Sequence, residues 1–284
     1  MHIGVNTWVW TSPTTTAELR QLAPHIAEMG FDWIEIPLEN IADMDHAAGG
    51  AIVRDSGLGV STAAVIGPDR DLIHPDESIR RNGYLYVRQA IEAAQKLGST
   101  TLAGPIYAGT GRCWQMTADE RARDTELLVS QLSELASYAG DHGVTLCIEP
   151  LNRFETSFIN LAEQAIEVVD RVDHPACKIL LDTFHMNIEE KSFGAAIRAT
   201  GQRLGHFHAC ENDRGAPGSG NVAWAEVAVA LKDIGYDGAV VIESFTSQVT
   251  SIARAAAIWR SLAPTQDDLA RDGLVFLRSL LGSS

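Results

Sequence analysis

Cysteine, positive charge and long apolar runs are all scarce in this chain, and each shortage removes a class of protein. Its four cysteines, Cys113, Cys147, Cys177 and Cys210, are widely spaced and form no CxxC pair. Such spacing suits reduced thiols and argues against a disulfide framework or a zinc ribbon. Lysine and arginine together number 22 against 37 aspartates and glutamates, a formal net charge of -15. A surface this acidic repels phosphate backbones and anionic membranes, so nucleic acid is not expected as a partner. No apolar run approaches the roughly 20 residues that a membrane span needs. The opening "HIGVNTW" carries no basic region ahead of an apolar core, so neither a secretory leader nor a membrane partner is expected. Linkers and low-complexity segments are missing too. These absences lead to the expectation of a cytoplasmic protein.

What the 284 residues do contain, 45% of them hydrophobic, is a strict alternation. Eight short strand-like runs recur: "HIGVNTW" from His2, "DWIEIP" from Asp32, "GVSTAAVI" from Gly59, "TTLAGP" from Thr100, "VTLCIE" from Val144, "CKILLD" from Cys177, "LGHFHA" from Leu204 and "AVVIES" from Ala239. Helical periodicity fills the gaps. "TAELRQLAPHIAEMG" puts Leu19, Leu22, Ile26 and Met29 on one face and ends at Gly30. "PDESIRRNGYLYVRQAIEAAQKLG" repeats the pattern with Ile79, Val87, Ile91, Ala94 and Leu97, with a break or kink expected at Gly83. "LLVSQLSELASYAGDHG" reads as a third helix. Runs that are apolar nearly throughout, alternating with helices, imply a parallel sheet covered on its outer side. An open doubly wound sheet shares that pattern. Eight repeats without a second compositional zone favour an α/β fold closed into a single (β/α)8 TIM barrel over residues 1–284.

In such barrels the active site lies at the C-terminal ends of the strands. There the fifth run ends at Glu149, the sixth at Asp182, the seventh at His208 and the eighth at Glu243. A solvated strand end or a helix cap accounts for any one of them alone, but poorly for four in succession. Three carboxylates this close repel unless a cation holds them. An oxygen-rich set with one imidazole suits Mn2+, Mg2+ or Co2+ better than structural zinc. His185 follows Asp182 by three residues, Glu155 follows Glu149 by six, and Arg214 follows His208 by six. Beside an ion, these three can hydrogen-bond the hydroxyls and carbonyl of a polar substrate. The alternative is an exposed Glu155 and an Arg214 paired with Glu211 or Asp213. His206 reads as a satisfied core histidine. Trp8, Trp10, Trp114 and Phe245 stand near strand ends, either as packing or as an apolar wall over the substrate.

Together "IEPLNRFET", "LDTFHMNIEE", "HFHACENDRGAPGSGN" and "IESF" resemble the D-tagatose 3-epimerase / D-psicose (allulose) 3-epimerase family, within the xylose-isomerase-like sugar isomerase and epimerase barrels. The resemblance spans nearly the whole chain and is most specific from Val144 to Phe245. It implies a metal-dependent enzyme that interconverts C3 epimers of a free ketose of the D-tagatose, D-psicose or L-ribulose type. Carried over by motif, Glu149, Asp182, His208 and Glu243 would hold one divalent ion, Mn2+ foremost, and Glu149 and Glu243 would also be the acid/base pair. Glu155, His185 and Arg214 would bind the O1–O2 end of the sugar. Asn6 and the Ala103 to Trp114 loop fall where such enzymes shape the pocket for its far end. The family also implies a homo-oligomer, dimer or tetramer. Loss of the C3 proton builds charge on O2 of the ketose, which an ion bridging O2 and O3 would stabilise while carboxylates on opposite faces of C3 alternate as base and acid.

Three other readings compete. An aldose–ketose isomerase, such as a hydroxypyruvate-isomerase-like protein, or a polyol dehydratase would use the same barrel and ion to move a different proton. A nuclease of the endonuclease IV type would need more His and Asp ligands and a basic face. A non-catalytic sugar-binding barrel would have no use for both Glu149 and Glu243 as an acid/base pair.

Overall fold

Each of the eight runs becomes a parallel strand in a computed structural model that describes residues 1–282. Ser283 and Ser284, the last two residues of the expected domain, lie outside the described residues. The strands are β1 His2–Asn6, β2 Trp33–Pro37, β3 Gly59–Ala63, β4 Thr101–Gly104, β5 Thr145–Ile148, β6 Cys177–Asp182, β7 Leu204–Ala209 and β8 Ala239–Ile242. Each pairs with the next in sequence, and β8 returns to β1 with Ala239 opposite His2, which closes the barrel. Closure removes both sheet edges and forces every strand to bury its outward face under a helix.

The covering helices are α1 Thr16–Met29, α2 His46–Asp55, α3 Glu77–Leu97, α4 Ala118–Asp141, α5 Ala162–Val172, α6 Thr183–Glu189, α7 Phe193–Thr200, α8 Trp224–Asp233, α9 Thr250–Ala255 and α10 Gln266–Leu281. A continuous apolar layer between ring and helices runs from Ile3 to Leu277. Among the described residues no helix is long and apolar enough to cross a membrane.

Local chemistry sets the helix ends. Thr15 and Glu18 form a capping box at the start of α1, and Gly30 stops it with φ 99°. The third periodic run begins at Leu127, yet α4 starts nine residues earlier, where Thr117 and Glu120 form a second capping box. The intervening "ADERARD" is too polar to display a periodic face, so only its cap announces the helix. The expected break at Gly83 does not occur. α3 runs unbroken through it, because Gly83 lets the helix approach the chain at Arg70, whose carbonyl oxygen would lie 2.0 Å from an added Cβ.

Register aligns the functional rows. Asp182 on β6 stands opposite His208 on β7, while Asn6, Glu35 and Ser61 form a row across β1, β2 and β3. Glu149 and Glu243 each follow their strands by one residue. β5 and β8 lie three strands apart around the ring, so these two carboxyls approach the same space from different sides.

Candidate active site

Every one of the four rim residues is buried: Glu149, Asp182, His208 and Glu243 are between 1% and 6% exposed. Asp182 serves two elements at once. Its Oδ1 accepts the Phe184 N–H at 2.7 Å and caps α6, while its Oδ2 faces the barrel mouth. The cap reading and the site reading therefore both hold for this residue. His208 Nδ1 lies 3.5 Å from Glu243 Oε1 and 3.9 Å from Asp182 Oδ2. Asp182, His208 and Glu243 bring ligand atoms within 4.8 Å of one another, and so do Glu149, Asp182 and His185. The four rim residues thus fall into two overlapping triads that share Asp182, with His185 as an unexpected member of the second. Glu149 Oε1 and both nitrogens of His208 are buried without a hydrogen-bond partner. Unpartnered buried polar atoms are costly, and a cation between them would satisfy several together. The donor set fits a hard divalent ion.

Arg214 does not pair with Glu211 or Asp213. Its Nη1 donates to Asp182 Oδ2 at 2.8 Å and to Glu243 Oε2 at 2.7 Å. Its guanidinium lies over the Phe184 ring at 3.9 Å. Its backbone adopts φ 69°, and its carbonyl accepts the Ser244 hydroxyl at 2.6 Å. Glu211 instead turns into the loop and accepts from Gly218 N, Val222 N and Trp224 Nε1, while Asp213 pairs with Arg260.

His185 on α6 is buried. The Asn152 N–H donates to its Nδ1 at 3.0 Å, and its Nε2 lies 3.5 Å from Glu149 Oε1 and 3.3 Å from Arg214 Nη2. Burial pushes its pKa well below the usual value, and Arg214 adds to the effect, so the ring is neutral. Glu155 is partly buried and lines the cavity, with Oε1 accepting from Asn152 Nδ2 at 2.8 Å.

The carboxyls are not electrostatically alike. Burial raises Glu149 well above the usual carboxyl range, and the charge of Glu243 raises it further. Burial raises Asp182 to about 6 against the pull of Arg214. Burial acts in the same direction on Glu243, but His208 and Arg214 outweigh it and hold that group down to about 2. One carboxyl that keeps its proton and one that gives it up, both facing one space, suit proton transfer in opposite senses.

Beneath the rim lies a polar layer that the motifs did not announce. Glu35 on β2 is fully buried and accepts from Asn6 Nδ2 at 2.9 Å, Ser61 Oγ at 2.9 Å and His206 Nε2 at 2.6 Å. His208 Nε2 stands 2.8 Å from Glu35 Oε1, off the ideal N–H direction. His206 is thus the satisfied core histidine expected. Asn6 is corrected: it is fully buried against Glu35 and does not line the pocket. The available signal was a single glutamate inside the otherwise apolar "DWIEIP".

The cavity above the rim holds about 530 Å3. Glu149, Glu155, His185, Arg214 and Glu243 form one part, and Trp8, Leu38, Val65, Phe245 and Ile252 form an apolar part. Trp8 and Phe245 pack ring to ring at 5.4 Å. Trp10 is not part of this wall; its Nε1 donates to Asp267 on α10. Trp114 is 54% exposed and lies outside the lining, against Arg112. The Ala103 to Trp114 loop does reach the cavity through Pro105, Thr110 and Gly111, and the Gly111 N–H donates to the Glu155 carbonyl at 2.8 Å.

A family model described as xylose isomerase-like TIM barrel matches residues 24–280. The chain is 36% identical over 266 residues to the D-psicose 3-epimerase of Agrobacterium fabrum, covering 90% of this chain and 91% of that one. It is 31% identical over 280 residues to the L-ribulose 3-epimerase of Methylomonas sp., covering 98% and 97%. A crystal structure of a D-psicose 3-epimerase in the presence of D-fructose matches with a TM-score of 0.91 at 32% identity, over 100% of both chains.

Proposed function

Because the chain belongs to the xylose isomerase-like TIM-barrel family and aligns almost end to end with ketose 3-epimerases, we propose that it is a metal-dependent ketose 3-epimerase acting on a free ketose of the D-psicose, D-tagatose or L-ribulose type. The observation that carries this reading is the pairing of Glu149 and Glu243, two buried carboxyls that follow β5 and β8 and face one cavity from different sides.

In this reading Asp182, His208, Glu243 and Glu149 hold the ion, and the oxygen-rich donor set supports Mn2+, with Mg2+ or Co2+ as substitutes. Once bound, a divalent ion would supply positive charge to offset the charge that builds on the sugar oxygens. Everything else falls to side chains. Glu149 and Glu243 would act on opposite faces of C3, one taking the proton and the other returning one, with the roles exchanged in the reverse direction. Arg214 and neutral His185 orient the O1–O2 end by hydrogen bonds, and Glu155 accepts from a hydroxyl. The apolar wall of Trp8 and Phe245 keeps water from the reacting carbon.

We further infer one domain over residues 1–284, from the single continuous core, and a cytoplasmic setting, from the four free thiols. A homo-oligomer, dimer or tetramer, accords with aromatic surface such as Phe154 and Trp259, 75% and 86% exposed.

Incubation with Mn2+ and a panel of ketoses in D2O tests the proposal. Deuterium should enter at C3 of the epimerised product, since the proton delivered differs from the one removed. Label confined to C1 or C2, with C3 configuration unchanged for every ketose, would indicate an aldose–ketose isomerase and overturn the epimerase reading.

A further inference from the structure

A carboxylate buried in a barrel interior is expensive unless donors surround it, and Glu35 is surrounded completely. Asn6 and His208 approach Oε1, while Ser61 and His206 approach Oε2. Two of these contacts come from the strands on either side of β2, Asn6 on β1 and Ser61 on β3, but the two histidines reach across the barrel from β7. Replacing such a network by apolar side chains is often neutral or stabilising, so stability alone does not call for it. Its location is more informative. The ring of His208 separates Glu35 from the rim carboxylates, with Nε2 on the Glu35 side and Nδ1 on the side of Asp182 and Glu243.

We propose that Glu35 is a positioning residue for His208: it accepts the Nε2–H of that ring and so presents the Nδ1 lone pair to the divalent ion. The inference rests on the reading that His208 is an ion ligand. A ligating imidazole that donates its other N–H to a carboxylate is held in one tautomer and orientation and becomes more basic, and loss of such a partner typically weakens metal affinity by roughly 10- to 100-fold. Glu35 offers acceptors to all four donors. A glutamine has a single acceptor oxygen and an amide that itself donates, so Glu35→Gln cannot accept from all four groups as the carboxylate does. Asn6, Ser61 and His206 hold the Glu35 carboxylate in place by hydrogen bonds.

Equilibrium titration with Mn2+ after chelation, with free ion read by electron paramagnetic resonance, tests this in wild type, Glu35→Gln and Ser61→Ala. The expected results are one equivalent of ion in wild type, a dissociation constant raised 10- to 100-fold in folded Glu35→Gln, and a change below about threefold in Ser61→Ala, which leaves the Oε1 side intact. In Mg2+-loaded, 15N-histidine-labelled wild type, the His208 Nε2–H should resonate downfield and exchange slowly, with assignment by its loss in His208→Asn. It should move upfield in Glu35→Gln, a change that general destabilisation would not produce. Should Glu35→Gln fail to fold, the wild-type spectrum still decides: an Nε2–H that is absent or exchanges freely overturns the proposal. Unchanged affinity in folded Glu35→Gln overturns it while leaving the ion site standing. Two bound equivalents, one lost in His206→Asn, would make Glu35, His206 and His208 an ion site of their own and overturn it too. A wild type that binds no ion removes the ion reading itself.

Discussion

Arg214 is the only cation among the described residues that line the cavity, and its Nη1 is shared by Asp182 and Glu243. Removing one partner of a buried ion pair typically costs about 3–5 kcal/mol, because the charges left behind stay buried. Arg214→Ala is therefore expected to unfold at markedly lower urea in the presence of chelator, and Mn2+ should recover more stability in it than in wild type. An unchanged midpoint would mean that Arg214 does not neutralise this ring. Glu155 poses a cleaner question, since it touches Asn152 and belongs to none of the three residue groups that could hold an ion. Glu155→Ala should lower kcat/KM by roughly ten- to 150-fold, the worth of one charge-assisted hydrogen bond, with metal content by elemental analysis unchanged. Wild-type turnover of every ketose by this variant would remove Glu155 from the substrate site.

The elements were legible where the signal is local. Leu19 and Ile26 are buried on the α1 face that the periodicity indicated, and Gly30 ends it. The polar start of α4 and the continuity of α3 were not legible, because one depends on a two-residue cap and the other on what lies opposite Gly83. An isolated Gly→Ala in a helix would gain about 0.5–1 kcal/mol. Here the new Cβ would meet the backbone oxygen of Arg70, and overpacking of this kind typically costs about 1–3 kcal/mol. Gly83→Ala should therefore destabilise the protein in chemical denaturation; a stabilised variant would show that the segment around Arg70 moves aside freely.

At the scale of the whole molecule, binding of an ion by the folded state alone ties stability to metal and to pH. At 100 times the dissociation constant a ligand adds about 2.7 kcal/mol, which for a chain of this size corresponds to roughly 5–10 °C in Tm. Asp182, Glu149 and His208 share in the pH window, since each holds its proton more tightly than usual. The Asp182 pKa is raised to about 6 by burial, above the ~3.9 of an unfolded aspartate, so its own contribution to stability is present below about pH 4 and lost as pH rises through about 6. Ion binding works in the opposite sense, since the ligand must be deprotonated. The Tm increment from Mn2+, measured by calorimetry, should thus be small at about pH 5 and grow as pH rises through about 6. An increment independent of pH would mean that none of Asp182, Glu149 and His208 gives up a proton to the ion.

The order of the eight strands, the α/β alternation and the carboxylates at successive strand ends could all be read from the sequence, because each depends on side-chain periodicity and chain breaks within about ten residues. The directions of the side chains were a different matter. His206 meets Glu35 across 171 residues, and Arg214 reaches Asp182 and Glu243 from 32 and 29 residues away. Only closure of the ring decides which of these groups share an interior layer, and so moves Asn6 from the pocket wall to the barrel centre. It also decides why Glu149 and Glu243, indistinguishable as residues, differ as acids: both are desolvated alike, but only Glu243 stands against His208 and Arg214 closely enough for their charge to prevail.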